Sequence, residues 1–432
     1  MKFLRFTSLI GLGLAASGCA PKSDSTSAAN TGAKANTGVI TIISPHTREI
    51  QTEFTALWKA KNPGTEIKWL DQGGTSDDLA FVRQQFSGKD KAQGIEIDLF
   101  FGGGGETFAE LEKDGLLAPL GSDFGVPADL NGVPMRGKDN VWVAAALSGF
   151  GILYNKPIST RDKLPVPQSW EGLTHPKLRD RIGLADPRHS GSAHTAYEII
   201  LQSNGWEKGW KILTAMAGNA RAFATTSSAP LQDVQNGEAV FCPAIDFYAL
   251  TAIKSAGADK LGYIEPKGQY VVTADPIALL PGAPNEAQAK QFVNLVMSKE
   301  GQKLWFSPKG SAGGPKNATL FRLPALPTAY KPIPKDATTK IDPYAAKNAS
   351  KYDADKAALR RRALDDLIGA VLVDNHDAVK RAWQKNPNME ATGFVPVSEA
   401  ELMKLAAQWD KPEVASAEKA KWFDAARAKF GG

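Results

Sequence analysis

Short apolar runs and amphipathic stretches alternate in a regular order along the chain. GVITIIS (residues 38–44) is β-branched and apolar, as a buried strand is. Ile50, Phe54, Leu57 and Trp58 then recur at helical spacing. Pro63-Gly64 marks a turn, and TEIKWLD alternates like a second strand. Gly73-Gly74-Thr75-Ser76 leads into a helix carrying Leu79, Val82 and Phe86. IEIDLFFGG (residues 95–103) reads as a third strand, and TFAELEKDGLL as a third helix. This β-α-β-α-β-α order predicts a parallel sheet with helices on both faces and right-handed crossovers.

The pattern then changes. VWVAAALSGFGILYN (residues 141–155) is long, apolar and broken by glycine, as a strand passing between two lobes would be. A second α/β region runs from about 165 to 270. TADPIALLPG (residues 273–282) reads as a strand returning to the first lobe, and AQAKQFVNLVMSKEGQKLWF as one amphipathic helix. The tail beyond Lys309 is Pro-rich, then helical, and is expected to pack on one lobe. The expected fold class is therefore α/β with two lobes. Its segments are 38–146 and 272–310 for the first lobe, 147–271 for the second, and a C-terminal extension from 311 to 432.

The N-terminus points to export. Lys2 and Arg5 precede the short apolar run TSLIGLGLAA, and small residues lead to Cys19. That run is too short to span a bilayer as a stable anchor. Ala16-Ser17-Gly18-Cys19 resembles the bacterial lipobox, which implies that residues 1–19 are a lipoprotein signal with Cys19 as the lipidated residue. Residues 20–37, rich in Ser, Thr, Ala, Asn and Gly, read as a flexible tether. The chain has 432 residues, 43% hydrophobic and 22% charged, which describes a globular protein. A net charge of +5, spread along the sequence, gives no reason to expect nucleic acid. With Cys19 lipidated, Cys242 is expected to be a small buried hydrophobe. His175 and His376 are expected at the surface.

Several long stretches carry a resemblance. IISPHTREIQTEF, DQGGTSDDLAFVRQQF, IDLFFGGGGETFAELEKDGLLAPL, SGFGILYN, LADPRHSGSAHTAYEIILQ and AIDFYAL are similar to the ferric-iron and organophosphate-binding branch of the type II solute-binding proteins of ABC importers. The resemblance covers most of residues 38–330. It implies two lobes closing on a ligand at a hinge, a periplasmic or cell-surface location, lipid attachment to the membrane, and an ABC permease as partner. A monomer with no cofactor is expected.

The residues themselves bear on the ligand. In open α/β lobes, ligands sit beyond the C-terminal ends of the strands. Five turns there are rich in glycine or hydroxyls: Ser44 with His46, Thr75, Gly103 with Gly104, Ser190-Gly191-Ser192 before His194, and Thr226-Ser227. Each opens a helix, where free N–H groups and a partial positive charge receive anions. Ser and Thr are also the commonest caps, so two or three of the five are expected to touch ligand. Ser148 lies on the crossing strand near the expected hinge, Ala146–Ser148 and Thr273–Asp275. Asp246 is a hydrogen-bond acceptor or a helix cap, and Tyr248 a stacking or donor group. A phosphate ester or phosphonate is the favoured solute. Bare ferric iron wants phenolates and carboxylates, and Phe247 stands where the iron-binding relatives implied by the resemblance have the first of two tyrosines. No metal site is expected: the histidines lack a ligating spacing. A lipid-anchored hydrolase is the alternative from another class, but SGSAH lacks the G-x-S-x-G elbow and no phosphate-loop spacing occurs; an enzyme is not expected.

Overall fold

The computed structural model describes residues 38–339, 341–345 and 350–431. The expected signal, Cys19 and the whole of the tether lie outside the described residues.

β1 (Val39–Ile43), α1 (Arg48–Lys61), β2 (Glu66–Leu70), α2 (Thr75–Phe86), β3 (Leu99–Phe101) and α3 (Gly105–Lys113) follow in the predicted alternation. β1 pairs in parallel with both β2 and β3. Ile40 and Ile42 share one apolar cluster with Ile50, Phe54 and Trp58 of α1, so the helical spacing marks the face that packs on the sheet. Burying each such side chain stabilises by roughly 1.5–3 kcal/mol. β3 is shorter than the predicted 95–103. Glu96 sits at φ 60, and Asp98 turns its carboxylate to the backbone N–H groups of Thr41 and Asn285. The chain joins the ladder only after that turn.

β4 (Asp129–Leu130) and β5 (Val133–Pro134) form a small hairpin. β6 (Trp142–Asn155) is buried along almost its whole length, as its unbroken apolar run predicts. The chain continues through α4 (Lys156–Arg161), β7 (Ile182–Ala185), α5 (Gly191–Asn204), α6 (Trp206–Asn219), β8 (Ala220–Ala224), α7 (Ser228–Asn236), β9 (Phe241–Ile245), α8 (Asp246–Ala256), β10 (Leu261–Ile264) and β11 (Val272–Leu279). One sheet joins them in the order β2-β1-β3-β11-β6-β9-β7-β8. Its two outer thirds are parallel, and the β11–β6 pair at the centre is antiparallel. β6 changes partner at its middle: Trp142–Gly149 lie against β11, and Phe150–Tyr154 against β9. A Cβ at Gly149 would come within 1.9 Å of the Tyr270 hydroxyl, so the crossing point needs glycine. Cys242 is buried on β9 as expected.

Three expectations need correction after β11. The predicted single helix is two, α9 (Glu286–Met297) and α10 (Lys299–Phe306). Ser298 between them is extended, donates to Leu295 O and caps α10 by accepting from Gly301 N–H. β12 (Leu323–Pro324) then adds to β6. The extension holds α11 (Ala354–Ile368), α12 (His376–Lys385), α13 (Met389–Thr392), α14 (Glu399–Ala406) and α15 (Pro412–Phe430). It does not pack on one half of the sheet. Arg361 of α11 donates to Thr107 of α3 (3.0 Å), while Arg360 and Asp365 of the same helix bond Glu198 and His194 of α5. His376 is half-buried rather than free on the surface: its Nε2 lies 3.0 Å from Ala217 O and its ring meets Phe223 edge-on. His175 is exposed, as expected.

Candidate functional site

The loops after β1, β2, β3, β7, β8 and β9 open onto one cleft of about 340 Å³. This is the edge where α/β sheets bind ligands. His46, Thr75, Gly103 and Gly104 line it from one side of the crossing pair. Ser190, Gly191, Ser192, Thr226, Ser227 and Tyr248 line it from the other, and Ser148 lies between. Ser148 is paired with Thr273 across β6 and β11, so the strands expected to form a hinge run side by side through the cleft.

The helix starts facing the cleft keep their anion-binding character. No side chain caps α2, α3 or α7, whose N-cap positions are Gly74, Gly104 and Ser227. Their first-turn N–H groups are not consumed by a serine or aspartate, and the dipole adds partial positive charge. The glycines after β3 are there for approach. A Cβ at Gly102 would stand 2.6 Å from His46 Nε2, and one at Gly103 2.8 Å from Thr75 Cγ2; both residues have positive φ. α5 differs: Ser190 is its cap, accepting from Ala193 N–H at 3.2 Å, and its hydroxyl bonds Ser227 at 2.6 Å. Ser192, two residues on, lines the cleft.

Three expected contacts do not line the cleft. Ser44 is fully buried and accepts from His46 N–H, so it shapes the turn. His194 points from α5 to Asp365, 2.7 Å away. Asp246 accepts from Gly149 N–H and Phe247 N–H, both at 2.7 Å, and so holds the point where β6 changes partner. Burial pushes its carboxyl up to about 7, against those hydrogen bonds and the nearby Arg322.

A charged group built around Asp275 also lines the cleft. Asp275 of β11 accepts from Arg322 (2.5 Å) and from Gly103 N–H (2.9 Å), and faces His46 Nε2 at 2.8 Å. Burial raises its carboxyl, but Arg322 and His46 outweigh that and hold it well below the usual carboxylate range. His46 responds oppositely. Burial lowers its imidazole, Asp275 opposes, and Arg322 adds to the lowering. A neutral ring donating from Nε2 to Asp275 leaves Nδ1 as an acceptor. The ring packs edge-on to Phe101, 4.5 Å between centroids. Arg322 lies over Phe247, 4.2 Å from its centre, a cation–π arrangement that fixes the guanidinium plane. His46 Nδ1, Ser148 Oγ and Arg322 Nε are buried without a hydrogen-bond partner among the described residues. Buried polar atoms rarely stay unpaired, and all three belong to cleft residues.

Arg322, Arg361, Asp71 and Glu106 are the charged lining residues that sequence reasoning misses. Asp275 has a local signal, a lone acid inside an apolar strand. Arg322 and Arg361 have none, because nothing local says that the tail folds back. Among the described residues no three His, Cys, Asp or Glu side chains gather as a metal cluster. Tyr248 is the single tyrosine among the described cleft-lining residues, and Phe247 is its neighbour.

This architecture is that of a solute receptor, and comparison with known proteins agrees. The family model for bacterial extracellular solute-binding proteins matches residues 96–325, more than half of the chain, and the chain belongs to that family. The phosphoglycerate transport regulatory protein PgtC of Salmonella typhimurium is 26% identical over 246 residues, which span 55% of this chain and 60% of PgtC. The major ferric iron-binding protein of Neisseria meningitidis serogroup B is 27% identical over 51% of this chain and 66% of its own length. The periplasmic binding protein AfuA of Actinobacillus pleuropneumoniae, solved with exogenous fructose-6-phosphate bound, superposes with a TM-score of 0.60 at 18% identity, covering 80% of this chain and 97% of AfuA. That likeness fixes the fold as the type II periplasmic-binding architecture. No helix among the described residues is long and apolar enough to cross a membrane.

Proposed function

We propose that this chain captures a small anionic organic solute, a phosphate ester or phosphonate, in the cleft and presents it to an ABC permease. The carrying observation is the convergence, on one 340 Å³ cleft, of the uncapped starts of α2, α3 and α7 with the Arg322 guanidinium. Helix starts and a guanidinium are what phosphate oxygens bind. Thr75, Ser192 and Thr226 add hydroxyl donors, and Asp71 and Glu106 accept from hydroxyls on an organic part. The volume suits a small molecule. The names of PgtC and of the fructose-6-phosphate complex of AfuA point the same way. Iron finds less support, despite the Neisseria relative. One tyrosine beside Phe247, with Asp275 already held by Arg322, offers few of the anionic oxygens a ferric ion wants.

Closure about the β6–β11 pair, near Ala146–Ser148 and Thr273–Asp275, would bury the solute. The protein acts as a monomer at the membrane surface, held through a lipid on Cys19, and performs no chemistry on its cargo. A thermal-shift panel on the full chain tests the ligand class. A phosphorylated metabolite at about 100 times its dissociation constant should add roughly 2.7 kcal/mol to stability. Stabilisation by ferric salts alone would overturn the reading.

A further inference from the structure

The C-terminal extension reaches into the cleft. Arg361 of α11 lines it although it lies beyond the family-matched segment, residues 96–325. Its side chain is buried, with 7% exposure. Nη1 donates to Thr107 Oγ1 and stands 4.0 Å from a Glu110 oxygen, so α3 fixes one edge of the fork. The other edge faces the cleft. A Cβ at Gly191 would lie 3.5 Å from Arg361 Nη2 and 3.9 Å from Thr75 Cβ, which brings this guanidinium beside the starts of α5 and α2. The neighbours of Arg322 are Asp275, Phe247 and Trp305. The two sets share no residue, so the two guanidiniums serve different parts of one cleft.

We propose that Arg361 is a ligand-contacting residue supplied by the extension, and that the cleft takes a solute with two separate anionic groups. One group meets Arg322 at the hinge strand, and the other meets Arg361 with the starts of α5 and α2. A phosphorylated carboxylic acid has this chemistry. Arg361 has a structural bond as well, but one bond to Thr107 leaves most of a five-donor fork for the cleft. A planar fork suits carboxylate and phosphate oxygens in pairs. The inference rests on the anion reading of the cleft and narrows it from one anionic group to two.

The test is a calorimetric titration of the full chain with a matched pair of probes. Glycerol 3-phosphate and 3-phosphoglycerate differ in carrying a hydroxymethyl or a carboxylate at the far end. The wild type should bind 3-phosphoglycerate at least about tenfold more tightly, the scale of one charged hydrogen bond. Arg361→Gln should shrink that gap to less than about threefold while glycerol 3-phosphate affinity holds. An unchanged gap in Arg361→Gln overturns the role of Arg361 alone. Equal binding of the two probes by the wild type overturns the two-group solute, and binding of neither overturns the anion reading as well. Should Arg361→Gln fail to fold, Arg361→Lys decides. Charge without the fork should narrow the gap in part, and an unchanged gap counts against the proposal.

Discussion

Two buried histidine–aspartate pairs of nearly equal length behave in opposite ways. His46 meets Asp275 at 2.8 Å inside the cleft, and His194 meets Asp365 at 2.7 Å between α5 and the extension. Burial lowers both imidazoles. For His46 it prevails over Asp275, helped by Arg322, and the ring sits below its ordinary value. For His194 the charge and hydrogen bond of Asp365, with Glu106 adding, prevail over burial and over Arg361, and the ring is raised. The difference is what else the carboxylate serves. Asp275 is shared among Arg322, Gly103 N–H and His46, so its charge is spent on a cleft built around a cation. Asp365 is hydrogen-bonded to His194 and also feels the charge of Arg361, while burial raises its carboxyl. One pair sets the electrostatics of a binding site, and the other fastens the extension to α5.

The comparison breaks most visibly when the carboxylates are removed. Asp275→Ala leaves a buried Arg322 without its partner and should cost about 3–5 kcal/mol of unfolding free energy in urea. Asp365→Ala removes one histidine partner and should cost about 1–3 kcal/mol. Equal losses would erase the distinction. The pH dependence sharpens it next, with opposite signs. A lowered histidine takes up its proton more readily in the unfolded chain, so the contribution of His46 is lost as pH falls below 6.5. A raised histidine contributes fully below 6.5, and His194 loses that contribution as pH rises through its native value. His46→Gln should flatten the acid side of the stability curve, and His194→Gln the neutral to alkaline side. Flattening on the same side in both variants would contradict the assignment.

Smaller effects separate caps from contacts on α5. Ser190→Ala removes the cap and the bond to Ser227, and should cost about 1 kcal/mol in the empty protein. Ser192→Ala should change that stability by less than about 0.5 kcal/mol and show instead as weaker solute binding in a titration. A large stability loss at Ser192 would make it a second structural residue.

The pattern of apolar positions makes the first β-α repeats and the long β6 legible, because each buries a continuous face that one period describes. β3 and the α9–α10 break are not legible, since a positive φ at Glu96 and an extended Ser298 are local choices that tertiary bonds decide. The glycine and hydroxyl turns at Thr75, Gly103, Ser192 and Thr226 can be read, for strand-to-helix turns of one sheet face one edge. Ser44, His194 and Asp246 mislead because their side chains are turned to backbone or to the extension. Arg322 and Arg361 stay hidden in a Pro-rich segment and an amphipathic helix whose path back to the cleft has no local signature.

The most direct test of the central claim is a calorimetric titration of the wild type and Arg322→Ala with fructose 6-phosphate, 3-phosphoglycerate and ferric citrate. The account predicts saturable one-to-one binding of at least one phosphate ester by the wild type, weakened at least about tenfold in Arg322→Ala. Ferric citrate binding with visible colour, and no heat from either ester, would contradict it.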